Sequence, residues 1–549
     1  MRSRPVVAAL LGCGLLFSAA TFARDTAPAV PAHRFFHVQL GNTQTQLVSG
    51  RLLLFAITVK DAEAAAKEHG GEGKVEEVDT SPFFPTQTAV AARELSRLVP
   101  GQTIDIDADA DGMAFPTGWS QLPPGDYYVQ AVLDVHHDYN YSGRDAGDLV
   151  SPVVKVQLPT ASIPDLSLDR TLPARDPWQL GKRATPAMQE ALPAARAHEH
   201  DIDFQSPALT AFWGRPIHMR GRVLLPPGYD AKAKATYPTV YYTQGFGGSN
   251  DRVIGALVNV YAAMAKGEMP PMIWVFLDES SPTGTTEFAD SVNNGPWGRA
   301  LTTELIPQLE KTWRMDAKPS GRFLQGHSSG GWATLWLQTR YPAIFGGTWS
   351  TSPDPSDFHD FTGVDLYAPH ANVYRKPDGT AYPLVRDKGK VLATYQQFAQ
   401  LERVLGPYGG QMASFDWVFS PKGKDGRPEP MFNRDTGDVD PAVVAYWREH
   451  YDIAYRLQQH WPELKGELDG KIHLYVGTAD TFYLDGAAHK LKAVLDGLHA
   501  KSDIRFIPDR THFDLYAIGD DRQGLLKQIS WQMYGVARPH STLKAPAQP

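Results

Sequence analysis

Apolar positions follow two rhythms along this chain, and the change comes near residue 206. Before it, RLLLFAITV (51–59) and DYYVQAVLDV (126–135) are rich in β-branched and aromatic residues. In the second run Tyr127, Val129, Ala131 and Leu133 alternate with Tyr128, Gln130 and Val132, the two-residue period of a strand. LPPG (122–125) just ahead of it is a turn. Strands parted by turn clusters over 24–165 predict an immunoglobulin-like β-sandwich. Residues 166–205 are rich in Pro, Ala and charge and have no strong period, which predicts a linker or a strap over the surface.

From 206 onward apolar runs alternate with helical spacing. RVLLPPGYD (222–230) reads as a strand and turn, YPTVYYTQGFGGSN (237–250) as a strand ending in a glycine loop, and MIWVFLD (272–278) as a further strand. ALTTELIPQLEKTW (300–313) has helical spacing, with Pro307 expected to bend or interrupt it. FGGTWSTSP (345–353), KIHLYVGTAD (471–480), a helix near 486–500 and DIRFIPDRTHF (503–513) continue the series. The pattern predicts an α/β domain over 206–538 with a largely parallel sheet, then a short tail, 539–549. Residues 353–450, dense in Pro, Gly and Asp, break the rhythm and read as an inserted cap.

Bulk properties narrow the picture only slightly. A chain of 549 residues exceeds one small core and predicts two or more domains. The net charge of −8 offers no basic field for a nucleic-acid backbone. Residues 1–23 combine Arg2 and Arg4, an apolar stretch Val6–Phe17 and small residues up to Ala20 and Ala23, the pattern of a secretory signal peptide. Its apolar part is short for a membrane span. The one cysteine, Cys13, lies within it, so a cleaved chain would have no thiol for disulfides, nucleophilic attack or metal binding. Export to a bacterial periplasm or medium is the expectation, without a stable membrane span.

The densest chemistry is in GRFLQGHSSGGWATLWL (321–337). Gly326-His327-Ser328-Ser329-Gly330 has the form G-x-S-x-G between a strand and a helix, a turn that lifts a serine hydroxyl clear of a sheet. A nucleophilic serine needs a base, and the base needs an orienting acid. In the chain order Ser, acid, His, Asp480 ends a predicted strand and His512 follows the next one. Asp485 is the alternative acid, and His489, His499 and His540 are the competing histidines. An acyl-transfer site also needs N–H donors for an oxyanion. The expected donors are Ser329 and, from the glycine loop, Phe246 or Gly245.

LLPPGYD, YPTVYYTQGFGGSN, the helix containing ELIP, GHSSGG, GTAD and THFD occur in the order found in the Putative esterase family of α/β-hydrolases, which this chain resembles. Its relatives include esterase D, enterochelin esterases, feruloyl esterases and mycolyltransferases. The resemblance covers about 206–535 outside the insertion. It implies an α/β-hydrolase fold and serine hydrolysis or transfer of carboxylic esters, with Ser328, Asp480 and His512 at the matching positions; no cofactor or metal is expected. Relatives often carry His before the oxyanion glycines, where this chain has Gln244.

Three weaker signals remain. Asp105, Asp107, Asp109, Asp111 and Gly112 resemble the opening of a calcium loop, but its closing position is Gly118, so an edge strand running into a turn is the preferred reading. Asp134, His136, His137 and Asp138 read as a loop before they read as a metal site. Phe288, Asn293, Asn294 and Trp297 are candidates for pocket lining or for core. The expectation is an exported serine esterase acting on a small-molecule or polysaccharide-linked ester. The alternatives are an acyltransferase with an alcohol acceptor and a non-catalytic binding protein on a hydrolase fold.

Overall fold

The computed structural model describes residues 33–546 except 42–43, 69–73, 160–163 and 183. The signal-peptide reading of 1–23, with Cys13, lies outside the described residues. At the centre is an eight-stranded sheet: β1 (Glu199–Gln205), β2 (His218–Leu224), β3 (Thr239–Thr243), β4 (Ile273–Leu277), β5 (Arg322–His327), β6 (Gly347–Thr351), β7 (Ile472–Gly477) and β8 (Ser502–Ile507). The spatial order is β1-β2-β4-β3-β5-β6-β7-β8. β2 runs antiparallel to β1 and β4, and every pairing from β4 to β8 is parallel. This is the α/β-hydrolase architecture.

Helices α1 (Ile254–Ala265), α2 (Ser329–Arg340) and α3 (Leu484–Gly497) lie in crossovers between strands, and α4 (Gly524–Ala537) follows the last strand. α1 and α4 share one core with Trp274, Phe323, Trp349 and Tyr475 of the sheet. α2 and α3 share another with Ile472, Leu474 and Val476. Parallel strands covered on both faces need continuous apolar runs, which is how IWVFL of β4 reads. The ELIP helix is interrupted as expected. A π-helical turn, Leu301–Leu305, runs directly into Ile306–Thr312, and the widened turn sits just ahead of Pro307, which has no N–H to offer the preceding turn.

The insertion folds as a hairpin (Pro383–Asp387 with Lys390–Thr394) and helices Tyr395–Leu405, Gln411–Phe419 and Pro441–Tyr451. A further helix, Ile453–Leu468, leads into β7. Asp440 and Asp452 each cap the helix that follows, which explains how an Asp- and Pro-rich stretch becomes helical. Its core is continuous with Trp332 and Trp336 of α2.

The N-terminal region forms two sheets around one core. A three-stranded sheet (Phe35–Leu40, Thr103–Asp107, Leu166–Leu168) and a seven-stranded sheet containing Val48–Thr58, Thr88–Leu98 and Gly125–Asp134 share buried Phe36, Ile106, Leu54, Ala91, Val129 and Leu133. The larger sheet is apolar on its other face too. There Leu53, Phe55, Val90 and Val132 pack against Leu401, Val404 and Leu405 of the insertion.

The linker assigned to 166–205 is corrected. Leu166–Leu168 and Arg170–Thr171 are strands of the N-terminal sheets, Pro186–Ala197 is a helix packed beside α1, and Glu199–Gln205 is β1. Short edge elements, and a helix built on Thr185 as its cap and Pro186 in its first turn, leave little periodic signal.

Candidate active site

The strand-to-helix corner at Ser328 follows from close backbone packing. Ser328 itself has φ 61° and ψ −127°, a region a residue with a side chain enters only under constraint. Its N–H donates to the Thr351 carbonyl at 3.0 Å, and its own carbonyl accepts from Trp332 and Asp354. A Cβ at Gly326 would stand 2.1 Å from the Gly330 carbonyl oxygen, and one at Gly330 would stand 2.2 Å from that of Gln244. Thr243 at the end of β3 donates its hydroxyl to the Gly330 carbonyl at 2.8 Å. The glycines let α2 start directly against β3 and β5, and the turn has only one way to go.

Asp480 lies just past β7, and His512 lies past β8. His512 Nδ1 is 3.0 Å from Asp480 Oδ2. Asp480 is fully buried, and its Oδ1 accepts the N–H groups of Phe482 and Leu484. Burial alone would raise its pKa. The neighbouring His512 and these donors outweigh that and hold it below the ordinary value. His327, whose ring centre is 4.4 Å from that of His512, is pushed down to about 3 by burial and then by His512. It is therefore neutral near neutral pH.

Ser328 and His512 line one cleft of about 640 Å³, together with Gly245, Phe246 and Gly247. Gly245 lies against the serine: a Cβ there would be 2.8 Å from Ser328 Cβ. Its carbonyl accepts the Gly248 N–H at 3.0 Å, which turns the Phe246 N–H of the same trans peptide the opposite way. Ser329 opens α2, where N–H groups lack helical partners.

The competing residues are placed elsewhere. Asp485 pairs with Arg386 of the insertion at 2.8 Å. His489 stacks on Phe506 at 3.7 Å, His499 follows the end of α3, and His540 lies in the tail. Phe288 and Trp297 belong to the core, and Asn293 donates to the Ser420 carbonyl. Asp109 accepts the N–H groups of Arg34 and Ser120, and Asp134 those of His136, Asp138 and Tyr139. Among the described residues no group of three or more His, Cys, Asp or Glu side chains is placed to hold a metal ion. Among the same residues no helix is long and apolar enough to cross a membrane.

The family model described as Putative esterase matches residues 216–512, over half of the chain and every residue of this corner. The chain belongs to the Putative esterase family. An iron(III) enterobactin esterase of Dickeya dadantii (strain 3937) is 29% identical to this family member over 131 residues, 23% of this chain and 30% of that protein. The match therefore spans under a third of that relative's length. Two solved structures are similar. A CE1 ferulic acid esterase from Anaeromyces mucronatus, in complex with ferulic acid, is 13% identical with a TM-score of 0.34, covering 62% of this chain and 91% of its own. An S-formylglutathione hydrolase from Agrobacterium tumefaciens is 14% identical with a TM-score of 0.36, covering 62% and 94%.

Sequence reading of this esterase-family chain missed two groups near the site. Asp354 is fully buried, accepts from Ser329 Oγ at 2.7 Å, and is pushed up to about 6 by burial. Its signal was a proline on each side, Ser352-Pro353-Asp354-Pro355, directly after β6. The N-terminal Phe83 and Tyr141 also line the cleft. Nothing in their local sequence points to it.

Proposed function

We propose that the protein is an exported serine esterase that cleaves carboxylic esters through an acyl-enzyme. Ser328 Oγ adds to the ester carbonyl carbon while its proton passes to His512 Nε2. The N–H groups of Ser329 and Phe246 hold the oxyanion, with Gly245 leaving room for it. As the adduct collapses, the bond to the alcohol oxygen breaks and His512 returns the proton to that oxygen. Water then adds to the acyl-enzyme, giving up its proton to His512, and the acid leaves as Ser328 recovers its hydrogen. Asp480, charged and buried, keeps Nδ1–H aimed at itself and balances the imidazolium.

The observation that carries this reading is Ser328 at φ 61° in a G-x-S-x-G turn, sharing a cleft with a histidine whose Nδ1 is 3.0 Å from a buried carboxylate. The two N-terminal sheets are read as an immunoglobulin-like accessory domain, and residues 1–23 as the export signal. The test is hydrolysis of p-nitrophenyl acetate and butyrate by wild type and Ser328→Ala, both shown to be folded. The variant should lose at least about three orders of magnitude in kcat. Equal turnover by the two would remove Ser328 as nucleophile.

A further inference from the structure

The cleft at Ser328 is walled by two domains. Thr80, Pro82 and Phe83 reach it from the N-terminal region, beside Phe482 and Phe513 of the hydrolase. Phe513 directly follows His512 and is 67% exposed, so core packing does not account for it. Phe83 meets the Phe513 ring edge-on at 5.5 Å and the Phe482 ring at 6.0 Å. Phe482 in turn stands perpendicular to His512 at 4.9 Å. The three phenylalanines therefore gather on the histidine side of the cleft. In ester cleavage that side holds the departing alcohol, because the imidazolium must deliver its proton to the alcohol oxygen.

We infer that the substrate is an ester of a bulky apolar alcohol, held by Phe83, Phe482 and Phe513, with the N-terminal domain supplying Phe83 as a specificity-determining residue. This rests on the serine-esterase reading. A cleft of about 640 Å³ is far larger than a short-chain alcohol needs, and an aromatic wall rewards apolar contact there.

The experiment compares 2-phenylethyl acetate with ethyl acetate, which share an acyl group, and ethyl 3-phenylpropanoate with ethyl acetate, which share an alcohol. Initial rates are followed by acid release. Wild type should prefer the phenylethyl ester by at least about tenfold in kcat/KM. Phe83→Ala should cut that alcohol preference about tenfold while moving the acyl preference less than about twofold. Phe513→Ala, at an exposed position that does not hold the fold, should act in the same direction. An alcohol preference near one in wild type, or variants that shift only the acyl preference or both together, would overturn the inference. Labelling of Ser328 by a fluorophosphonate separates the two readings. A labelled serine without an alcohol preference sinks this inference alone, whereas an unlabelled, inactive wild type sinks the esterase reading and this one with it.

Discussion

Two loops meet at the cleft and are held in opposite ways. The turn at Ser328 is held from inside the hydrolase sheet, by backbone packing at Gly326 and Gly330, the Thr351 carbonyl and the Thr243 hydroxyl. The loop Gly245–Gly248 is held largely by side chains. Tyr141 of the N-terminal region donates its hydroxyl to the Gly248 carbonyl and sets its ring edge-on to Phe246 at 5.1 Å. Arg252 bridges the Gly247 carbonyl and the Ser142 carbonyl, and Gln244 holds the Ser249 carbonyl. A strained corner is thus locked by packing inside one sheet, while the adjoining loop takes its position in part from the N-terminal region. The first should fail all at once and the second by degrees.

The largest effect should come from Gly330→Ala. Its methyl group would meet the Gln244 and Thr243 carbonyl oxygens at 2.2 and 2.6 Å, both backbone atoms of the strand end below. Either α2 lifts or the fold fails, so thermal melting should show a loss of more than about 10 °C, or no folded protein. A variant that melts like wild type would mean the corner is looser than the packing implies.

A smaller effect is expected from Tyr141→Phe, which keeps the ring on Phe246 and removes one hydroxyl. With Phe246 N–H as an oxyanion donor, kcat should fall about tenfold with KM within about twofold, since a displaced donor costs less than a deleted one. A change confined to KM would assign Tyr141 to substrate contact instead.

The smallest effect concerns two buried acids near Asp354. Glu279 and Glu287 are fully buried, and their carboxylate oxygens find no hydrogen-bond partner among the described residues. Burial first, then Asp354 and the other acids nearby, raises both well above the ordinary glutamate value. The folded chain keeps protons that the unfolded chain releases above that value, so these groups lower stability as pH rises. Glu287→Gln removes one such proton. Its melting temperature relative to wild type should improve by a few degrees between pH 5 and pH 9. A difference that does not vary with pH would contradict the assignment.

The comparison also shows what a sequence reader can find. The Ser328 corner was legible because its constraint is local: five consecutive residues, with a strand before and a helix after. Asp480 and His512 were legible through chain order and strand ends. The second loop was only half legible. GFGG marks a turn, but Tyr141 is about a hundred residues away in sequence and is joined to it only by tertiary packing. One clue to the buried interface does lie in the sequence. RLLLFAITV does not alternate, and an unbroken apolar strand implies cover on both faces. Leu53 and Phe55 face the insertion while Leu52 and Leu54 face the N-terminal core. Arg51, which donates to the Val404 carbonyl, and Asn140, which donates to the carbonyls of Glu402, Gly406 and Tyr408, pin the same interface.

β1 has a practical consequence for anyone dissecting this protein. It pairs with β2 along seven residues, Glu199 with Leu224 through Gln205 with His218. A fragment begun at 206, where the apolar rhythm changes, would strip that partner and leave β2 as a bare edge with a row of unmatched amide groups. Such edges recruit other chains. The fragment would be expected to precipitate, and that precipitation would say nothing about catalysis.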